Sequence, residues 1–456
     1  MTDKSNTPTD QPRPQGPSRR EFITRTAAIA GTAAILGTAA KTQAQAQERI
    51  GLDPNAKTPK SAKRAPLGEN DPIRIGVIGV GGMGTGHVHA MLGINERKEA
   101  NVQVVALCDV CQPRWENALA ACKEKQPDVQ VDTYTKHEDL LAREDIHGVV
   151  VATTEHWHGP ISIDAIAAGK DVYCEKPMTL RLPDALHVRQ VVQANPDIIM
   201  QVGTQQMMRP KFVDAKKLLA EDAIGKATFS QTSYCRNSKD GEWLYYKIDP
   251  SWEPGVNLDW ERWCGSLGVR EWDPQVYARW RRYKDYSTGI IGDLLVHVMT
   301  PMMYALEVGW PTRVIASGGH YVDMAMENHD QVNLTIEFEK GHTMVVAGST
   351  CNDVGLEVMI RGHKANIYLG GQNCVLRPER IFVDDVDEQE IPAEDIGNDQ
   401  DALRRDWLNS IRTRQPNRSQ VDLATQVMVI VDLATRSMWD GHAYTFDPAT
   451  LSASKV

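Results

Sequence analysis

The feature that most constrains this chain is a glycine-spaced loop set directly between a strand and a helix. Ile73-Arg74-Ile75-Gly76-Val77-Ile78 is short, apolar and rich in β-branched residues, as a strand buried on both faces should be. It runs into Gly79-Val80-Gly81-Gly82-Met83-Gly84, a complete G-x-G-x-x-G, and then into a helical pattern through Met91. Gly79 permits a tight turn, Gly81 lets the backbone approach a pyrophosphate, and Gly84 lets helix pack on strand, with Gly82 and Met83 completing the loop. The helix start offers unpaired N–H groups and a positive dipole end to phosphates.

The context supplies the rest of a dinucleotide site. A second apolar strand, 102–107, ends at Cys108-Asp109. Asp109 therefore falls about 25 residues beyond Gly84, close to where an acid that binds the adenosine ribose is expected. Its carboxylate would repel a 2′-phosphate, which favours NAD over NADP, and Arg114 just downstream moderates that preference. Three further strand-and-helix units follow, 131–134 with 136–141, 146–151 with 160–168, and 171–174 with 183–192. Such alternation predicts a doubly wound parallel sheet with its ligand at the carboxyl ends of the strands. That rule makes 152–157 and 175–178 the walls of the nicotinamide end. Thr153, His156, Trp157, His158, Glu175, Lys176 and Gln205 are the expected cofactor contacts there.

His156 and His158 stand one residue apart with no carboxylate cluster nearby, so they read as ligand contacts and not as a metal pair. Cys108 and Cys111 form a C-x-x-C, but no second pair lies at zinc-site spacing, and the eight cysteines in 456 residues do not make a disulfide scaffold. The formal net charge of −10 argues against nucleic-acid binding, which needs a basic face.

The N-terminus carries a second message. Ser18-Arg19-Arg20-Glu21-Phe22-Ile23 precedes a weakly apolar run, 27–40, and then Ala44-Gln45-Ala46. A basic start, an apolar middle and small residues at a cleavage spacing predict a twin-arginine export signal over residues 1–46, read by the export machinery and leading to the periplasm or beyond. That route carries folded proteins, so a cofactor could be loaded before export. Residues 47–72 are polar and Pro-rich, a linker or arm.

From Ala227 the pattern changes. Tyr234-Cys235-Arg236-Asn237, the Trp-rich stretch from Trp243 to Trp280, and Arg279-Trp280-Arg281-Arg282-Tyr283 concentrate aromatic and basic side chains in a chain only 6% aromatic. Aromatic faces can stack on a sugar and Arg, Asn or Tyr can bond its hydroxyls, though the same tryptophans could simply staple a long excursion. Strand patterns at 331–338, 343–347, 357–361 and 365–369, with Gly-containing turns, predict a meander, and 402–411 and 421–439 read as closing helices. The expected organisation is a dinucleotide domain over 73–200, a second domain over 201–398, and helices with a tail over 399–456.

Three motifs carry a resemblance. Ala168-Gly169-Lys170-Asp171-Val172-Tyr173-Cys174-Glu175-Lys176-Pro177, Thr154-Glu155-His156-Trp157-His158 and Ile291-Gly292-Asp293-Leu294-Leu295-Val296-His297 resemble, in order, elements of the Gfo/Idh/MocA (glucose–fructose oxidoreductase-like) oxidoreductases. The resemblance implies an N-terminal Rossmann domain, a C-terminal α+β domain with a large, mostly antiparallel open sheet, and assembly as a dimer or tetramer. It implies hydride transfer between a sugar or glycoside carbon and NAD(P), with Lys176, Asp293 and His297 as the catalytic set. Tyr234, Arg236, Trp280, Arg281 and Tyr283 join these as expected substrate contacts. The residue types suit the chemistry, because alcohol oxidation needs a group to take the hydroxyl proton. Asp293 and His297, four apart on a helical pattern, are expected to share a face so that the carboxylate orients the ring. Three activities remain open to such a chain: a sugar dehydrogenase, a redox-assisted glycosidase working through a 3-keto intermediate, and a non-catalytic NAD- or sugar-binding protein.

Overall fold

The computed structural model describes residues 50–456, so the twin-arginine pattern lies outside the described residues. Strand β1 (Ile50–Gly51) comes from the arm. It is followed by β2 (Ile73–Ile78), β3 (Val102–Cys108), β4 (Asp132–Tyr134), β5 (Gly148–Val151), β6 (Asp171–Cys174) and β7 (Met200–Val202). The last six form one parallel sheet in the order β4-β3-β2-β5-β6-β7. The chain therefore fills one side of β2 and then crosses to the other. The order reverses between β2 and β5, and at such a switch point the strand ends open a crevice. Nearly every residue of β2, β3, β5 and β6 is buried, which is why these strands read as continuous apolar runs and not as alternating ones.

The second sheet is built from β8 (Ala227–Asn237), β9 (Pro311–Gly319), β10 (Gln331–Phe338), β11 (His342–Ser349), β12 (Cys351–Asn352), β13 (Met359–Gly362), β14 (Ala365–Tyr368), β15 (Cys374–Pro378), β16 (Gln389–Ile391), β17 (Tyr444–Asp447) and β18 (Ser452–Lys455) together with β1. Its order is β1-β18-β17-β9-β10-β11-β8-β13-β14-β15-β16, with β12 paired to β8. The expected meander is corrected here. β8, which precedes the aromatic excursion, lies between β11 and β13 and runs parallel to β11. The other pairings in this sheet are antiparallel. Along β10, Val332, Leu334, Ile336 and Phe338 are buried while Asn333, Thr335 and Glu337 are exposed, so one face of the sheet packs inward and the other stays open.

The C-terminal helices join the sheets together. Helix Asp399–Thr413 places Leu403, Trp407, Leu408 and Ile411 in the core beneath β2 and β6, against Ile73, Ile75 and Tyr173. It ends on Arg414 in the left-handed region (φ 59°). The Arg414 guanidinium then grips both oxygens of Asp171 at 2.7 Å. Asp171 begins β6 and is only 1% exposed. Its Oδ1 also accepts from the Ile199 backbone N–H, at 2.7 Å. Arg414→Met strands a buried carboxylate and is expected to cost about 2–3 kcal/mol, at or below the usual range for breaking a buried pair because the arginine is partly exposed. Urea unfolding measures this, and an unchanged midpoint would show that the Ile199 N–H alone satisfies Asp171.

Candidate functional site

The crevice at the switch point is a cleft of about 530 Å³ lined by Gly79, Gly81, Gly82, Met83, Asp109, Arg114, Thr153, Trp157, His158, Glu175 and Lys176 among others. The loop is shaped by what its glycines lack. Gly79 has φ +85°, and a Cβ there would stand 2.8 Å from the Ala152 carbonyl. A Cβ on Gly84 would fall 1.8 Å from the Gly79 oxygen, whereas Gly82 faces open space. Helix Gly82–Glu96 starts without a side-chain cap and without an acidic residue in its first turn. These features fit a dinucleotide phosphate bridge.

Asp109 has a task the sequence did not reveal. Its oxygens accept from the N–H groups of Val80 (2.8 Å) and Cys111 (2.9 Å). It thereby ties the glycine loop to the end of β3 while still facing the cleft. Burial raises its pKa, against the pull of Arg114. Arg114 donates through Nε to the Tyr277 hydroxyl at 2.8 Å and lies 5.0 Å from the ring centres of both Trp252 and Tyr277.

Three expected contacts lie elsewhere, His156 and Tyr283 away from the cleft and Gln205 in the pocket beside it. His156 does not line this cleft. Its ring meets Thr154 Oγ1 (3.1 Å) and the Trp263 carbonyl (2.9 Å), and burial holds its pKa at about 4. Tyr283 lines neither this cleft nor the adjoining pocket but packs on the aromatic cluster of Trp260, Trp263, Tyr277 and Tyr286. That cluster, with Trp260 and Trp263 stacked at 4.7 Å, shows why: most of the tryptophan-rich excursion staples itself. Trp157 does line the cleft, anchored by its Nε1–H to the Trp263 carbonyl at 3.0 Å. His158 is held by the carbonyls of Pro177 (2.7 Å) and Thr153 (3.2 Å). Among the described residues no cluster of three or more His, Cys, Asp or Glu is arranged to hold a metal ion.

Beside the cleft lies a smaller pocket of about 220 Å³, where Lys176, Tyr234, Arg236, Arg281, Asp293 and His297 converge with Gln205. Gln205 is thus on the pocket side and not in the cofactor cleft. Lys176 ends the β6 loop and donates through Nζ to Asp293 Oδ1 (2.9 Å) and to the Asp293 carbonyl (2.8 Å). Arg281 donates through Nε to the same Oδ1 at 2.8 Å and lies 4.2 Å from the Trp280 ring centre. Burial pushes the Asp293 carboxyl up, but Arg281 and Lys176 outweigh it and hold it far below the carboxylate range. Arg236 stands 3.3 Å from Glu242 and 3.8 Å from Asp293, with its guanidinium 5.7 Å from the Tyr234 ring.

The expected Asp293–His297 pairing is not made. Asp293 sits in a π-helical turn, Ile291–Leu295, that passes into the α-helix Val296–Leu306 only after it. The wider turn breaks the α-helical spacing on which the pairing relied, and two cations occupy the carboxylate. The His297 Nδ1 is buried without a hydrogen-bond partner. Its pKa falls to about 3, through burial first and Lys176 second, so the ring is neutral. Tyr234 lies 6.1 Å away, ring to ring.

Several site residues escaped the sequence reading. Glu155 accepts from Ser287 Oγ (2.6 Å) and from the N–H and Oγ1 of Thr288 (3.0 Å each), which fixes the turn leading to Asp293. Trp243, Tyr245 and Tyr246 line the pocket; the aromatic stretch signalled them, but not their place. His87 and Arg404 gave no local signal at all. Arg404, from helix Asp399–Thr413, also borders the pocket.

Comparison with known proteins agrees with this architecture. The family model described as "Oxidoreductase family, NAD-binding Rossmann fold" (GFO_IDH_MocA) matches residues 73–204, and that described as "Oxidoreductase family, C-terminal alpha/beta domain" matches residues 266–446. The inositol 2-dehydrogenase of Gluconacetobacter diazotrophicus is 32% identical over 169 residues, covering 37% of this chain and 47% of that protein. A glycosyl hydrolase family 109 protein of Shewanella sp. is 23% identical over 234 residues, 51% of this chain and 48% of that one. The chain thus spans about half the length of the curated relatives it matches. An NAD-binding oxidoreductase from Klebsiella pneumoniae has the same fold, with TM-score 0.61 and 19% identity, covering 82% of this chain and 98% of that one. So does a levoglucosan dehydrogenase in complex with NADH and L-sorbose, with TM-score 0.61 and 18% identity over the same shares.

The buried histidines have a measurable consequence. His87, His156, His158 and His297 all have pKa values lowered, chiefly by burial. The unfolded chain therefore takes up protons below about pH 6.5 that the folded chain refuses, and each such proton costs about 1.4 kcal/mol per pH unit. Stability is expected to fall as pH drops from 6.5 toward 5, and His156→Gln should make that fall shallower. Thermal unfolding across this range measures both, and a melting temperature flat with pH would contradict the assignment.

Proposed function

This chain belongs to the Gfo/Idh/MocA oxidoreductase family, and from that premise we propose that it moves a hydride between a secondary alcohol of a sugar or glycoside, at carbon 3 by our reading, and a tightly held NAD. One observation carries the reading: the glycine-loop cleft and the Asp293 pocket share Lys176, Glu175, Met83, Tyr246 and Arg281 as common walls. A cofactor in one and an alcohol in the other would meet at the ammonium of Lys176. When bound, the dinucleotide supplies the hydride acceptor. Lys176 gives two of its N–H bonds to Asp293 and keeps a third donor for the hydroxyl oxygen, where it stabilises the charge that builds as the C–H bond breaks. His297, neutral and buried, accepts the hydroxyl proton. Asp293 and Glu175 favour its protonated form, against burial and Lys176. Asp293 anchors Lys176 and Arg281.

The preference for NAD over NADP rests on Asp109 beside the glycine loop. A redox-assisted glycosidase is the second reading, favoured by the similarity to a glycosyl hydrolase family 109 protein. It begins with the same hydride step and differs in releasing aglycone without net NADH. Incubating the protein with a glycoside panel while following NADH absorbance and aglycone separates the two, and an absence of both would favour a non-catalytic binding protein. The open face of the large sheet supports assembly as a homo-oligomer.

Two results are expected. Lys176→Ala and His297→Ala should each lower single-turnover hydride transfer by about 10²–10⁴-fold, non-additively, with dinucleotide affinity nearly unchanged. Asp293→Asn should lose less, and its effect should persist in the His297→Ala background but fade in Lys176→Ala. Near-normal transfer in His297→Ala would remove it from proton transfer. The twin-arginine pattern supports export of the folded protein with its cofactor aboard, so dinucleotide should co-purify. A nucleotide-free protein with no affinity for NAD would overturn that reading.

A further inference from the structure

Glu175 stands on the shared wall between cleft and pocket, and its surroundings are unusually directional. Its Oε1 meets His87 Nε2 at 2.9 Å, and its Oε2 accepts from the Lys176 backbone N–H at 3.2 Å. The other His87 nitrogen, Nδ1, accepts from Arg404 Nε at 3.0 Å. Arginine can only donate, so His87 Nδ1 carries a lone pair and Nε2 carries the proton. The ring is therefore the neutral tautomer that donates to Glu175. Arg404 is in turn fixed by Asp401 at 2.8 Å. His87 is fully buried, and Arg404 and Glu175 are nearly so.

The consequence lies in the charge. The Lys176 ammonium is hydrogen-bonded to Asp293, and the Arg404 guanidinium is paired with Asp401. Among the described residues, the one side chain at ion-pair distance from Glu175 is His87, which is neutral. The Glu175 carboxylate thus stands in the junction as a negative charge without a counter-ion bonded to it. Such a charge acts on a neighbouring ring more strongly than it would in water.

Resting on the dinucleotide reading above, we infer that His87 and Arg404 are positioning residues that hold Glu175 as an oriented anion, and that this anion favours the oxidised, cationic nicotinamide over the reduced, neutral one. Burial opposes the charge, but the hydrogen bond from His87, the charge of Lys176 and the Lys176 backbone N–H hold the Glu175 carboxyl below its usual range. The anion therefore persists across the physiological range.

The test is the ratio of two affinities in the full-length protein stripped of nucleotide. NAD⁺ is titrated by calorimetry and NADH by its fluorescence. In Glu175→Gln, which keeps the shape, the Kd for NAD⁺ relative to that for NADH should rise about tenfold, the scale of one lost charge at partial screening. His87→Leu removes both the donor to Glu175 and the acceptor of Arg404, so it should shift the ratio the same way. His87→Gln can accept from Arg404 and donate to Glu175 through one amide and should restore a ratio within about twofold of the parent. If His87→Leu does not fold, Glu175→Gln and His87→Gln still decide the matter. An unchanged ratio in Glu175→Gln, or a His87→Gln ratio as displaced as that of Glu175→Gln, overturns the inference. Failure of the parent to bind either form of the cofactor would instead overturn the dinucleotide reading itself.

Discussion

The Lys176–Asp293 contact is the joint on which the site depends. Lys176 is delivered by the end of a parallel strand, Asp293 by a π-helical turn more than a hundred residues later, and the two meet at 2.9 Å with both side chains less than a tenth exposed. Desolvating either charge alone would be costly, and their mutual attraction offsets that cost only with good geometry and further hydrogen bonds. The structure supplies these. Lys176 also bonds the Asp293 carbonyl and Arg281 bonds the carboxylate. A charged pair that must be exact in place is a poor source of stability but a strong device for register. Here it sets the pocket's walls against the end of β6.

Other long-range contacts keep that register from drifting. Glu155, at the first turn of the helix after β5, holds Ser287 and Thr288, so the segment that leads into Asp293 is tied to the crossover beside the glycine loop. Arg414 ties the far helix to the start of β6, and Glu175 and Lys176 lie at its end. The strand that presents the ammonium is thus fixed at both ends by groups distant in sequence. The proposed hydride transfer would require such fixing, since a misplacement of about 1 Å in reacting atoms can cost a hundredfold in rate.

The division between what was legible and what was not follows from range. The glycine loop, the buried strands and the closing helices were readable because local spacing and periodicity carry them, whatever they later pack against: a positive-φ turn at Gly79, a helix packed close to the glycine loop at Gly84, apolar runs between turns. The Lys176, Asp293 and His297 set was readable by resemblance, and the structure does bring the three to one pocket. Partnership was not readable. Nothing local tells Asp293 that Arg281 and Lys176 will compete for it, and the π turn that removes its α-helical spacing from His297 leaves no mark in a heptad-like pattern. The insertion of β8 between β11 and β13 is invisible for the same reason, because strand periodicity reports which face is buried but not which neighbour is chosen. His156 looked like a ligand contact until Trp263, over a hundred residues away, supplied its carbonyl.

The charged groups at the junction differ in the partners they hold. The pocket gathers Lys176, Arg236 and Arg281, yet each cation faces a carboxylate, Asp293 or Glu242. Every one of these cations thus has a carboxylate partner, although three cations share two carboxylates, and a bound carboxylate would have to displace Asp293 or Glu242 from partners they already hold at short range. Glu175, on the wall shared by pocket and cleft, differs in being bonded to a neutral histidine. In the hydride transfer proposed above, the nicotinamide would change charge, whereas an alcohol oxidised to a ketone would enter and leave neutral. On that proposal, the carboxylate that bonds a neutral group, and not one of the ion-paired carboxylates, stands where the reaction would change charge.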